Sequence, residues 1–233
     1  MSANDFVMKL NANTLEDISV LLVDDHAFVL RAVERILDGV SNITVLDAVV
    51  SVDEALRVME HKIPAVMLLD LSLKRDDGFK LIDIVYARHR STKILVYSMH
   101  SEYLFAERCI RRGARGYLRK GCASDVLIEA IHHVAGGGIY ISDIIQQEIL
   151  GRIRGVETSY SMIAPLQGLT DRELEVFYLV GQGYETREIA ERTGLNSKTI
   201  QTHQSRIRTK MDVHGQEDLQ SKATELLLAN MTE

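Results

Sequence analysis

AVMLLDL, residues 65–71, is a short and nearly unbroken apolar run that ends in an aspartate before its last leucine. A run of that length without polar alternation reads as a strand covered on both faces. The same pattern recurs on either side of it, in ISVLLVD (18–24), ITVLDAVV (43–50), KILVYS (93–98) and GYLRK (116–120). Between and after these runs, VLRAVERIL (29–37), VDEALRVME (52–60), GFKLIDIVYAR (78–88), YLFAERCIRRG (103–113) and SDVLIEAIHHVAGGG (124–138) carry helical spacing. Five strand–helix units predict an α/β domain over residues 18–138, with a doubly wound, five-stranded parallel sheet. Ser124 is the expected N-cap of the last helix, and Gly136–Gly138 its end.

Beyond residue 138 the alternation stops. Residues 139–168 read as a linker containing a short helix in ISDIIQQEILGRI (141–153), followed by VETSYSMIAPLQG (156–168). From residue 169 the pattern is wholly helical. Thr170 and Glu173 fit a capping box that opens LTDRELEVFYLVGQG. TREIAERTG (186–194), SKTIQTHQSRIRTKM (197–211, with Asn196 as N-cap) and a helix near 216–230 complete an all-α, four-helix domain over 169–233. Residues 1–17 are an N-terminal extension beyond what the first domain needs, read either as disordered or as an arm against a partner.

Length and composition suit two modest domains: 233 residues, 46% hydrophobic and 26% charged. The two cysteines, Cys109 and Cys122, form no ligand or disulfide spacing, which fits a reducing cytoplasm. No apolar run approaches the roughly 20 residues of a membrane span, and the first residues lack the apolar stretch of a signal peptide. The net charge of −6 weighs weakly against nucleic acid, but DNA binding needs only a local basic face.

In a parallel sheet, ligands bind at the carboxyl ends of the strands. Here those ends carry Asp24–Asp25, Asp70, Ser98 and Lys120. Three converging carboxylates repel one another, and a hard divalent cation such as Mg²⁺ resolves the repulsion with oxygen ligands. Asp70 can then attack a phosphoryl group as a carboxylate nucleophile, its oxygens steadied by the metal, Lys120 and the Ser98 hydroxyl. VDDH (23–26), LLDLSL (68–73), Gly78, YSMH (97–100) and GYLRKG (116–121) resemble the flavodoxin-like receiver domains of two-component response regulators over about 120 residues, in order and spacing. The resemblance implies that Asp70 is the phosphoacceptor. It also implies that Asp24, Asp25, Asp70 and the backbone carbonyl of Ser72 hold Mg²⁺, that Ser98 and Tyr117 are the switch pair, and that Lys120 contacts the phosphate. One departure is Lys74, followed by Arg75, Asp76 and Asp77, where many members have proline.

The third helix of the second domain has no acidic residue from 197 to 211. Ile200, Ile207 and Met211, with His203 or Gln204 between them, mark its buried stripe. Lys198, Gln201, Thr202, Ser205, Arg206 and Lys210 lie on the opposite face. LTDRELEV (169–176), EIA (188–190) and TIQTHQSRIRTKM (199–211) resemble the LuxR-type, NarL/FixJ-like helix-turn-helix. By that resemblance Gln201, Thr202 and Ser205 read bases, while Lys198, Thr199 and Lys210 face phosphates, with Arg206 on the same basic face. Glu185 and Thr193 depart from the serine and leucine common at their positions. His203 reads as a hydrogen-bonded, partly buried histidine, and His132–His133 as a helix face, in preference to metal ligands.

Taken together, the expected protein is a cytoplasmic, phosphorylation-controlled transcriptional regulator and not a conventional enzyme. Its expected partners are a sensor histidine kinase or phosphotransfer protein, double-stranded DNA and a second copy of itself on DNA, with no membrane. Two alternatives stay open at this point: a DNA-binding regulator with a degenerate receiver, and an adaptor whose helical tail binds protein.

Overall fold

A computed structural model describes residues 17–74, 76–154 and 165–229. The first domain alternates β1 (Ile18–Val23), α1 (Ala27–Leu37), β2 (Ile43–Val49), α2 (Val52–Met59), β3 (Val66–Leu69), α3 (Gly78–Arg88), β4 (Lys93–Ser98), α4 (Glu102–Arg112), β5 (Gly116–Arg119) and α5 (Ser124–Ala135). The five strands form one parallel sheet in the order β2-β1-β3-β4-β5. Successive side chains of a strand point to opposite faces, and the buried residues divide accordingly. Val20, Leu22, Leu68 and Leu95 pack with Leu30, Val33 and Leu37 of α1 and with Leu127, Ile131 and Val134 of α5. Leu21, Val23, Met67, Leu69 and Val96 face the other way, onto α2, α3 and α4. The strands are therefore apolar on both faces, as their sequence requires.

Local signals set most element ends. Ser51 accepts from the Glu54 N–H to start α2, and Asp77 accepts from Phe79 and Lys80 to start α3. The expectation for Ser124 is corrected. Ala123 occupies the N-cap position, no side-chain cap bond forms, and Ser124 is already the first helical residue. Serine's cap preference yields here to a backbone that turns helical one residue early.

The segment read as the start of a linker is packed on the first domain. Tyr140 forms a parallel bridge to Gly116 on the open edge of β5 and exchanges backbone hydrogen bonds with Arg115 and Tyr117. Ile141 and Ile145 are buried, and α6 (Asp143–Ile153) lies against α4. Covering a sheet edge in this way satisfies its unpaired backbone groups. Of VETSYSMIAPLQG, residues 156–164 lie outside the described residues, as do residues 1–16 of the N-terminal extension.

The second domain holds α7 (Asp171–Gly181), α8 (Thr186–Thr193), α9 (Ser197–Met211) and α10 (Gln216–Ala229). Both expected N-terminal signals form: the Thr170–Glu173 capping box on α7, and Asn196, whose Oδ1 accepts from the Thr199 N–H at 2.8 Å, on α9. Gly194 ends α8 at φ 69°, the left-handed conformation that the tight turn into α9 needs. Residues 173–180 of α7 are buried all the way round. One side packs on α9 and α10; the other meets α4 of the first domain, where the Phe105 and Tyr178 rings lie edge to face at 6.0 Å. Arg108 of α4 donates to the carbonyls of Leu166 (2.7 Å) and Leu169 (2.8 Å) and to Asp171 (3.1 Å). Arg112 pairs with both Asp83 and Asp171.

Gly78 opens α3 where a Cβ would stand 2.7 Å from the Cα and 2.8 Å from the carbonyl oxygen of Leu71. Those atoms are backbone and cannot step aside. Gly78→Ala should therefore destabilise the fold by about 1–3 kcal/mol, the usual range for overpacking, measured as a lower midpoint in urea unfolding.

Candidate functional site

Parallel pairing of β1 with β3 matches Val20 to Val66 and Val23 to Leu69, so the next residues, Asp24 and Asp70, emerge side by side. The Asp70 N–H donates to the Val23 carbonyl at 2.9 Å and fixes that register. From β5, Lys120 reaches across. Its Nζ is 2.6 Å from Asp24 Oδ2 and donates to Asp70 Oδ2 at 2.8 Å. None of the side chains of Asp24, Asp25, Asp70 and Lys120 is more than 7% exposed. Burial works against the Lys120 ammonium, but Asp70 and Asp24 outweigh it and hold its pKa above the ordinary lysine value. Burial, and then the neighbouring charge of Asp70, push the Asp24 carboxyl upward in spite of Lys120.

Asp25 completes the acidic cluster, with carboxylate oxygens of Asp24, Asp25 and Asp70 and a ring nitrogen of His26 all within 4.8 Å of one another. Asp25 Oδ1 is buried and accepts no hydrogen bond; His26 Nδ1 stands 2.8 Å away without making one. The other oxygen of Asp25 accepts from the backbone N–H of Lys74 at 3.2 Å. A proline at 74 has no such donor. The departure from proline thus gives Asp25 a partner, with the half-exposed Lys74 ammonium 3.7 Å away. Asp76 and Asp77 also have structural work. Asp76 accepts from the Val52 N–H and Asp77 caps α3. Arg75 lies outside the described residues.

Ser98 is fully buried, and its Oγ accepts from the His100 N–H at 3.4 Å. The Tyr117 hydroxyl donates to the His100 carbonyl at 3.2 Å, and complete burial raises its pKa well above the usual value. Asp24, Asp25, Asp70 and Lys120 are thus brought together, and Ser98 and Tyr117 meet around the His100 backbone next to them, where the Lys120 N–H donates to the Ser98 carbonyl at 2.8 Å. Sequence reasoning quoted His100 within YSMH but gave it no role. Its ring is buried, stacks on Phe105 at 4.8 Å and meets Tyr178 edge to face at 5.1 Å. Glu175, Arg172 and Tyr178 were missed as well. The available signal was LEVFYLV (174–180), apolar on more than one helix face, as expected of a helix with two neighbours.

On α9, Lys198, Gln201, Thr202, Ser205 and Arg206 are exposed, and Thr199 is half-buried with its hydroxyl on Asn196. The buried stripe is Ile200, Gln204 and Ile207, so Gln204 and not His203 fills the middle position. His203 is half-buried, with an unpartnered Nδ1 and a pKa lowered by burial. Lys210 is tied down within its own domain, donating to Glu173 at 2.6 Å and to the Gly168 carbonyl at 3.1 Å. Thr193 turns its departure from leucine to use: its hydroxyl donates to the Ile189 carbonyl and accepts from the Leu195 N–H, bracing the turn. Glu185 forms a capping box with Glu188. His132 pairs with Asn42.

A family model described as the response regulator receiver domain matches residues 20–132, and one described as bacterial regulatory proteins, luxR family, matches residues 167–223. Response regulator UvrY of Escherichia coli (strain K12) is 31% identical over 203 residues, covering 87% of this chain and 91% of its own. Transcriptional regulatory protein DegU of Brevibacillus brevis is 31% identical over 209 residues, covering 84% and 89%. The solved structure of RcsB from Salmonella enterica serovar Typhimurium, bound to promoter rprA with phosphomimetic BeF3-, superposes with a TM-score of 0.60 at 21% identity, over 90% of this chain and 99% of that one. That likeness extends across both domains of the fold.

Removing one partner from a buried charge set leaves the others uncompensated, at about 3–5 kcal/mol. Lys120→Ala should lose stability on that scale in urea titrations without divalent cations. A carboxyl whose folded pKa is raised contributes stability below that pKa and loses it as pH rises. The deficit should therefore shrink as pH falls and Asp24 takes a proton in place of Lys120.

Proposed function

The chain belongs to the response regulators that join a receiver domain to a luxR-family DNA-binding domain, and on that footing we propose that Asp70 accepts a phosphoryl group from a sensor histidine kinase or phosphotransfer protein and so controls binding to operator DNA. The observation that carries this reading is the pairing of Lys120 with Asp24 and Asp70 inside a nearly buried acidic cluster. In this reading residues 18–138 receive the signal, 139–168 connect, and 169–233 bind DNA, in the cytoplasm and as a dimer on a two-fold site. Among the described residues no helix is long and apolar enough to cross a membrane.

The donor set fits Mg²⁺: three clustered carboxylates, all hard oxygen ligands, one with a buried oxygen that accepts no hydrogen bond. Asp24, Asp25, Asp70 and the Ser72 carbonyl would hold it. When bound, it supplies positive charge against the carboxylates and the phosphoryl oxygens. Asp70 attacks phosphorus with a carboxylate oxygen; the new phosphorus–oxygen bond forms as the phosphorus–nitrogen bond to the donor imidazole breaks. Lys120 gains phosphoryl oxygens as partners and loosens its hold on Asp70. Ser98 turns its hydroxyl to the same oxygens and gives up the His100 N–H. Slow loss of the phosphoryl group to water resets the protein; no other catalysis is proposed.

Phosphoramidate with Mg²⁺ should label the wild-type chain at Asp70. Asp70→Asn should abolish the label, as read by phosphate-affinity electrophoresis and mass spectrometry. Label persisting in that variant would relocate the acceptor. Asp25→Asn should weaken Mg²⁺ binding at least about ten-fold in calorimetry, since a charged ligand is lost.

On DNA, Gln201 offers an amide that both donates to and accepts from an adenine edge. Gln201→Ala should cost about 1–3 kcal/mol at the preferred operator and relax preference at one base pair per half-site. Lys198, exposed and unlike Lys210 not engaged by Glu173, takes the phosphate-facing role. Lys198→Ala should weaken all sequences alike and make the salt slope shallower by about one unit per bound monomer. Binding isotherms on operator and scrambled DNA at several salt concentrations separate the two effects.

A further inference from the structure

The loop between β3 and α3 begins at Asp70 and runs through Ser72 and Asp76; the second domain holds it directly at Asp76 and, through His100 of the first domain, indirectly at Ser72. Arg172 of α7 donates through Nη2 to the Asp76 carbonyl at 2.8 Å. Its other terminal nitrogen donates to Glu175 Oε2 at 2.6 Å. Glu175 Oε1 stands 3.8 Å from His100 Nε2, and that nitrogen is 2.7 Å from Ser72 Oγ. Burial opposes the Glu175 charge, but the His100 ring and the Arg172 guanidinium outweigh it and hold the carboxyl below its usual range. The His100 Nδ1 is buried without a partner.

These contacts select one arrangement of the ring. An N–H on Nδ1 would be a buried donor with nothing to accept it, and would leave Nε2 as a lone pair facing the Glu175 carboxylate. Both are costly. With the hydrogen on Nε2, the ring donates to Ser72 Oγ in the field of Glu175, and only an acceptor is left orphaned. Glu175 thus fixes the ring through which His100 holds Ser72.

We propose that the Arg172–Glu175 pair of the DNA-binding domain clamps the phosphoacceptor loop, with His100 as the positioning residue that passes the grip from Glu175 to Ser72. This rests on Asp70 being the phosphoacceptor. To seat a phosphoryl group, loop 70–77 must rearrange around three added oxygens. The clamp holds the same loop, so docking of the second domain slows phosphorylation. Because the clamp favours the unphosphorylated arrangement of the loop at equilibrium, the phosphorylated chain in turn docks more weakly. Loop 98–100 adds to the effect, because Ser98 cannot turn to the phosphoryl group without giving up the His100 N–H.

The test uses the full chain. Labelling rates with phosphoramidate and Mg²⁺ are measured for wild type, Glu175→Gln, His100→Gln and the double variant. His100→Asn serves as a second background, and the one melting nearest to wild type is read. Glu175→Gln should raise the rate about five-fold, at the low end of coupling between sites, and should add nothing once His100 is replaced. Without metal, long-range proton–nitrogen spectra should show His100 protonated at Nε2 in wild type and shifted away from that form in Glu175→Gln. An equal gain with and without His100, or an unchanged rate, overturns the relay while leaving the phosphoacceptor intact. So does an unaltered His100 spectrum. Absence of label at Asp70 in wild type overturns both readings.

Discussion

Two carboxylates forced side by side at the ends of adjacent strands are the constraint around which this molecule is arranged. β1 and β3 pair in parallel, so Asp24 and Asp70 leave the sheet at one level with almost no water to screen them. Burial first, and then the like charge of Asp70, disfavour ionisation of Asp24 and raise its pKa. Lys120 relieves the repulsion by bridging both groups from β5. The same crowding gathers three carboxylates at the strand ends, and any group that shares Lys120 with Asp70 changes the balance for the whole cluster. The loops around it follow from this: the Lys74 N–H on Asp25, the Asp76 carboxylate on Val52 and Asp77 on α3 hold the acidic side in place.

The second constraint is a helix with no free face. α7 must bury Leu174, Phe177 and Val180 within its own domain, yet Glu173, Glu175 and Tyr178 are buried as well. Burying a carboxylate is tolerable only with a partner. Glu173 finds Lys210 and the Thr170 N–H; Glu175 finds Arg172 and the edge of His100. The receiver is therefore part of the environment that keeps α7 satisfied, and Arg108 and Arg112 reinforce it by pinning residues 166–171 to α4.

How far the sequence could be read follows from where each signal originates. Strand runs such as AVMLLDL report burial on both faces, so strand number and parallel topology were legible. The acidic cluster was legible because parallel strands deliver their carboxyl ends to one place. The caps at Thr170 and Asn196 were legible because they act over three residues. Ser124 misled because an N-cap preference competes with its neighbour's backbone over a single position. Residues 139–153 looked like a linker because their contacts, to Gly116 and α4, are distant in sequence and leave no local pattern. His100 and Lys210 illustrate the same limit. His100 gains Glu175 and Tyr178, and Lys210 loses its freedom to Glu173, only when α7 is in place.

The placement of α9 gives the interdomain contact its meaning. The outer face of α9, with Lys198, Gln201, Thr202, Ser205 and Arg206, is exposed while α7 is docked on α4. Docking therefore does not hide the side chains that would read a base edge. What it fixes is the position of the whole second domain, through α7, relative to the receiver. A two-fold DNA site requires two recognition helices about one helical turn of DNA apart, and Arg108, Arg112 and the Arg172–Glu175 pair tie the second domain to a single position on the receiver. On the function proposed above, control lies in whether a correctly folded, uncovered α9 is held in that position or released to find a partner half-site. That gives the strand-end charges leverage over DNA without any change inside the DNA-binding domain itself.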